Sequence, residues 1–128
     1  MGNTWLPPVQ TRTGVILCVD DNLPHLELLS AILSKNGFSI LQAKTGEDAL
    51  EMLSEAPVCL VIADHLLRGV TGTELAAKMK AVKPSVPVLL CSGSQPDSMR
   101  NVDAFINKGE PVHVFLAFLD DLLTRFYG

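Results

Sequence analysis

The sequence has no apolar run near the ~18 residues that a membrane-spanning helix needs, which argues against membrane insertion. Its start lacks the basic stretch and apolar core of a secretory signal. Gly2 invites a check for myristoylation, but Leu6 stands where Ser or Thr is wanted. There is no surplus of positive charge: the formal net charge is -4 over 128 residues. That argues against direct nucleic-acid contact, which needs a basic stripe. Cysteine is scarce. Cys18, Cys59 and Cys91 are odd in number and far apart, which fits neither a disulfide framework nor a zinc site. Each lies in or at the end of an aliphatic run, as reduced core thiols of a cytoplasmic protein do. No internal repeat and no low-complexity tract is present.

What the chain does have is apolar residues, 48% of the total, enough to exclude global disorder. A single domain of this length buries roughly 65–70% of its unfolded surface. Residues 1–13 contain Pro7-Pro8 and no periodicity, and read as a flexible leader before a domain at 14–128. From there two patterns alternate. "VILCV" (15–19), "FSILQA" (38–43), "VCLVIA" (58–63), "VPVLLCS" (86–92) and "AFIN" (104–107) read as strands. The first, third and fourth are continuous apolar runs, suited to strands covered on both faces. "FSILQA" alternates more and suits a strand nearer an edge.

Between the strands lie helical patterns. Leu26, Leu29, Ile32 and Leu33 share one helix face, and Gly37 provides a stop. Thr45 to Glu55 reads as a second helix, barred by Pro57, and Thr73 to Val82 as a third, closed by Pro84. Gln95 to Val102 reads as a short polar fourth, and Pro111 to Tyr127 as a fifth. Strand and helix thus alternate five times. This predicts an α/β protein, a flavodoxin-like (βα)5 three-layer sandwich with a parallel five-stranded sheet of order 2-1-3-4-5.

In such sheets, sites form outside the carboxyl ends of the strands. Strand 1 ends in Asp20-Asp21, strand 3 in Asp64, strand 4 in Ser92-Gly93 and strand 5 in Asn107-Lys108. Each residue alone has a plain explanation as a cap, a turn residue or a solvated charge. Together they deliver three carboxylates, a hydroxyl and an ammonium to one rim. Adjacent carboxylates repel each other. A hard divalent cation relieves that repulsion and suits an all-oxygen cluster. It can also bridge a phosphoryl group. One aspartate can then take up the phosphoryl as an acyl phosphate, with a lysine against a phosphoryl oxygen.

On these residues the chain resembles a receiver domain of the two-component response-regulator family, which includes the bacterial chemotaxis regulator. The resemblance runs from about Thr13 to Tyr127. Its carriers are Asp20-Asp21, Asp64, Gly72 eight residues on, Ser92, and Lys108 with Phe105 three residues before it. It implies that Asp64 accepts a phosphoryl group from a histidine kinase or phosphotransfer protein. Asp21 and Asp64 would bind Mg²⁺ directly, Asp20 through water, and the backbone carbonyl of Leu66 would complete the protein ligands. Lys108 would pair with the phosphoryl group, Ser92 would move toward it, and Phe105 would turn inward as the switch. The face of helix 4, strand 5 and helix 5 would carry the signal, and offers a homodimer surface to which Leu116 and Leu123 add apolar width.

The chain departs from the family pattern in places. Leu67 and Arg68 stand where Met-Pro is common, and "KGEP" puts Gly109 and Glu110 between Lys108 and Pro111. The family has proline directly after the lysine, across a cis bond, so the Lys108–Gly109 geometry is open. His25 and His65 read as incidental surface histidines. Two other readings stand beside the phosphoacceptor. One is a pseudo-receiver of the same fold, never phosphorylated, that works as a protein-interaction module. The other is a flavin carrier or phosphatase, against which the acidic loop after strand 1 argues. No free-substrate turnover is expected. A stand-alone regulator and a piece of a longer protein both fit.

Overall fold

The Val/Ile/Leu runs of the sequence become strands, and the structure, a computed structural model, describes residues 14–128. The expected leader, 1–13, lies outside the described residues. Five strands, β1 (Val15–Val19), β2 (Ser39–Ala43), β3 (Val58–Ala63), β6 (Val88–Ser92) and β7 (Ala104–Asn107), form one parallel sheet of order β2-β1-β3-β6-β7. A two-stranded antiparallel ribbon, β4 (Leu66–Leu67) with β5 (Val70–Thr71), projects after β3. The helices are α1 (Leu23–Lys35), α2 (Gly46–Glu55), α3 (Gly72–Val82) and α4 (Val112–Tyr127). This is the flavodoxin-like topology that the alternation predicts.

Period-two alternation splits the core between the two faces. Ile16, Cys18, Leu60, Ile62, Leu89 and Cys91 face α1 and α4, joining Leu26, Leu33, Leu119 and Leu122. Leu17, Val19, Val61, Ala63 and Leu90 face α2 and α3, joining Ala49, Leu53, Leu75 and Met79. β3 is buried along its whole length, as a central parallel strand must be, whereas β2 is half exposed. Truncating a fully buried leucine here, such as Leu60, costs about 2–5 kcal/mol.

The register sets the rim. Val19 pairs with Ala43 on one side and Ala63 on the other. Ala63 pairs with Leu90, and Ser92 with Asn107. Asp20, Asp64 and Lys108 therefore leave their strands at neighbouring points of one edge.

Two expectations fail. The expected fourth helix, Gln95 to Val102, does not form: from Gly93 to Asp103 the chain has only bends and turns. That stretch has no apolar stripe to bury, and of its residues up to Asn101 only Pro96 is buried. Asn101 adopts φ 65, which a right-handed helix cannot contain. The second failure concerns the fifth helix, α4. Leu123 is fully buried and adds nothing to an outer apolar surface, while Leu116 is half-buried against the core. The face expected from helix 4, strand 5 and helix 5 thus lacks its first helix. The ribbon was not foreseen. Its two-residue turn, Arg68-Gly69, uses Gly69 at φ 79, the positive value such a turn requires of its second residue.

Candidate metal and phosphoryl site

The rim residues converge. Oxygens of Asp20, Asp21 and Asp64 lie within 4.8 Å of one another. Asp20 and Asp64 are buried, at 2% and 8% exposure, while Asp21 is open to solvent. Burying carboxylates side by side demands a cation. Lys108 supplies one: its Nζ lies 3.1 Å from Asp20 Oδ2 and 3.2 Å from Asp64 Oδ2. Burial alone pulls the ammonium pKa down, but the contacts to Asp20 and Asp64 together outweigh it and leave the pKa raised. The ammonium is therefore firmly charged at the rim.

Each group is placed by its strand and loop. The Asp64 N–H donates to the Val19 carbonyl at 3.0 Å, which ties the β3 end to the β1 end. The Lys108 N–H donates to the Ser92 carbonyl at 3.1 Å, which ties β7 to β6. Ser92 is buried, and its Oγ accepts from the Ser94 N–H at 3.3 Å. Beyond Lys108, Asn107 Oδ1 accepts from the Gly109 N–H at 2.7 Å, and the Asn107 carbonyl accepts from the Glu110 N–H at 3.1 Å. No peptide bond among the described residues is cis, so the Lys108–Gly109 bond is trans. Phe105 is half-buried against the cluster on the α2/α3 face. Leu66 opens the ribbon two residues after Asp64, with its side chain 59% exposed.

Gly72 earns its position. A Cβ there would lie 2.7 Å from Leu90 Cδ2 and 2.8 Å from both the Asp64 carbonyl and His65 Cα. The Gly72 N–H also donates to the His65 carbonyl at 2.6 Å. Only glycine lets α3 start this close to the loop after β3.

The structure changes the reading of both histidines. His25 is not incidental: its Nδ1 lies 2.5 Å from Asp20 Oδ2. Asn22 caps α1, its side chain accepting from the His25 N–H. His25 is thus the third helical residue, and its ring turns back toward the cap, a proximity that residue type alone does not announce. His65 is half-buried, with Nδ1 enclosed and without a hydrogen-bond partner. The cysteines are free and buried, as read from sequence. Burial pushes the Cys18 thiol up to about 12 and those of Cys59 and Cys91 to about 11, so none is a ready nucleophile.

The donor set is oxygen only and carries more negative charge than one lysine offsets, which fits a hard cation such as Mg²⁺. Comparison with known proteins points the same way. The transcriptional regulatory protein GlrR of Escherichia coli (strain K12) is 32% identical over 116 residues. That alignment takes in 86% of this chain and only 26% of GlrR. A CheY-like response regulator receiver domain protein from Methanospirillum hungatei JF-1 superposes with a TM-score of 0.80 at 25% identity, covering 88% of this chain and 95% of that one. The response regulator protein TrrA of Thermotoga maritima, solved in complex with Mg(2+)-BeF, gives a TM-score of 0.80 at 26% identity, covering 86% and 99%. No described helix is long and apolar enough to cross a membrane. The response regulator receiver domain family matches residues 16–109, a span that holds every rim residue described above, and the chain belongs to that family.

Proposed function

We propose that this chain is the phosphoacceptor of a two-component phosphorelay, with Asp64 taking a phosphoryl group from a histidine kinase or phosphotransfer protein. The observation that carries the reading is the Lys108 ammonium bridging Asp20 and Asp64 beside a third carboxylate. That arrangement gathers a nucleophile, a cation for a phosphoryl oxygen and an all-oxygen donor set at one edge.

The chemistry is a simple exchange of bonds. An Asp64 carboxylate oxygen attacks the phosphorus of a phosphohistidine. The P–N bond breaks, the imidazole leaves with the electron pair and takes up a proton, and an acyl phosphate forms. Asp20, Asp21 and Asp64, with the Leu66 carbonyl, are the groups that would hold Mg²⁺. When bound, that ion neutralises charge on the phosphoryl oxygens. Lys108 then turns from the carboxylates to a phosphoryl oxygen. The Ser92 hydroxyl donates to another, drawing the chain after β6 toward the site, and Phe105 turns inward behind it. The added charge of about -1.5 to -2 drives that change. The chain turns over no free substrate of its own on this reading.

Acetyl phosphate with magnesium tests it. The wild type is expected to gain the mass of one phosphoryl group, and Asp64→Asn to gain none. Stoichiometric labelling of folded Asp64→Asn would refute the assignment. A wild type that stays unlabelled would instead favour a pseudo-receiver, acting by protein contact alone.

A further inference from the structure

Asp20 is held from three directions. Its Oδ1 accepts from the Asn22 N–H at 2.9 Å. Its Oδ2 meets His25 Nδ1 at 2.5 Å and Lys108 Nζ at 3.1 Å. The Asn22 side chain in turn accepts from the His25 N–H at 3.0 Å. Asp20, Asn22 and His25 therefore form a closed circuit, built on the α1 cap, that grips both carboxylate oxygens. The His25 ring also lines a cleft of about 120 Å³ shared with Lys108, Cys91 and Val112.

A carboxylate has about four lone-pair sites, two on each oxygen. His25 and Lys108 together fill those of Oδ2. Lys108 has a second commitment, to Asp64 Oδ2 at 3.2 Å. If Lys108 turns toward a phosphoryl group on Asp64, Asp20 loses its ammonium partner while remaining 2% exposed. Without His25 the Asn22 N–H would then be the last hydrogen-bond donor that the described residues give this buried carboxylate, and an unmet acceptor there is costly. His25 removes that difficulty: it sits on a different element from Lys108, and its backbone is pinned by the cap.

We infer that His25 is a positioning residue: its Nδ1–H holds Asp20 Oδ2 in place while Lys108 is released to the phosphoryl group. The inference rests on the phosphoacceptor reading of Asp64. His25 touches neither the phosphoryl group nor Asp64; it acts through Asp20. Loss of a hydrogen bond to a charged, buried acceptor is expected to slow acetyl-phosphate labelling about ten-fold or more. His25→Asn places an amide N–H where Nδ1–H stood, so it is expected to stay within about three-fold of wild type.

The test compares wild type, His25→Ala and His25→Asn for labelling rate and thermal stability, and adds a metal-free measurement. In chelator-treated, ¹⁵N-labelled wild type, the NMR correlations of the His25 ring are expected to show a proton on Nδ1. Slow labelling of folded His25→Ala, rescue by His25→Asn and the Nδ1 proton support the inference. Labelling of His25→Ala at the wild-type rate, failure of folded His25→Asn to rescue, or an unprotonated Nδ1 overturns it. An unlabelled wild type would sink the Asp64 reading instead, and the Nδ1 proton would still decide whether His25 holds Asp20.

Discussion

After β3 the chain is fastened at nearly every step, whereas after β6 it runs from Gly93 to Asp103 without regular structure. On the first side, β4 and β5 pair with each other, and the Gly72 N–H closes onto the His65 carbonyl. The start of α3 there carries a full capping box between Thr71 and Glu74. On the second side the segment is anchored mainly at its ends. Ser92 Oγ takes the Ser94 N–H, and the Asp103 carboxylate takes the Val88 N–H and Lys80 Nζ, both at 2.7 Å. Both sides border the same rim. Local opening is cheapest where few apolar contacts and few buried hydrogen bonds resist it. Asp64, the proposed acceptor, is thus set on the rigid side, and Ser92, proposed to move, is set at the root of the loose one.

A pair of glycine substitutions tests that contrast most severely. In Gly72→Ala the new methyl group collides with backbone at 2.8 Å, so it is expected to destabilise the fold by about 1–3 kcal/mol. In Gly93→Ala the methyl group meets nothing within 4 Å, and the change is expected to stay within about 0.5 kcal/mol. Urea denaturation of both variants measures the difference. Equal effects would break the comparison.

Asp103 sharpens it from the loose side. Asp103→Ala leaves the Val88 N–H without that acceptor and strips Lys80 of its carboxylate, although Lys80 keeps the Val86 carbonyl. The expected loss is about 1–3 kcal/mol. Amide hydrogen exchange is expected to quicken from about Gly93 to Asp103 and to stay unchanged over His65 to Gly72. Faster exchange on both sides would mean that the two are one cooperative unit.

Much of this was legible in the sequence because burial and period dictate it. The continuous runs "VILCV" and "VCLVIA" allow no other place than central parallel strands, and their match in register is what brings Asp20 beside Asp64. Lys108 followed from the same logic at the end of β7. The helix expected over Gln95–Val102 failed because alternation argued for it while its own residues did not: polar side chains gave it no face to bury. The ribbon escaped notice because two-residue strands have no period to detect. His25 escaped for another reason. Its role depends on a side chain folding back across a helix cap, and only coordinates reveal that a ring five residues after Asp20 returns to it.

Thr71 bears on the fastened side more gently. Thr71→Ala removes the hydroxyl that accepts from the Glu74 N–H at 3.2 Å, and loss of such a cap costs about 1 kcal/mol. Thermal or urea unfolding checks this. A loss well above that figure would mean that the ribbon opens together with the helix start.

The smallest effect expected is that of pH on the same cap. Glu74 Oε1 accepts from the Thr71 N–H at 2.9 Å, and this bond first, the Thr71 hydroxyl second, holds the carboxyl below its usual range. A carboxyl depressed by folding contributes stability that is present above its unfolded value, near ~4.3, and is lost as pH falls through its folded value. Glu74→Gln keeps an acceptor oxygen but removes the proton linkage. Wild type is therefore expected to exceed Glu74→Gln at about pH 6 and to lose that advantage progressively as pH falls below the unfolded value of ~4.3. Urea midpoints measured across that range decide the matter. An advantage that stays constant would show that charge at this cap plays no part. One that fades would mean that acid narrows the contrast between the two sides by loosening the fastened one.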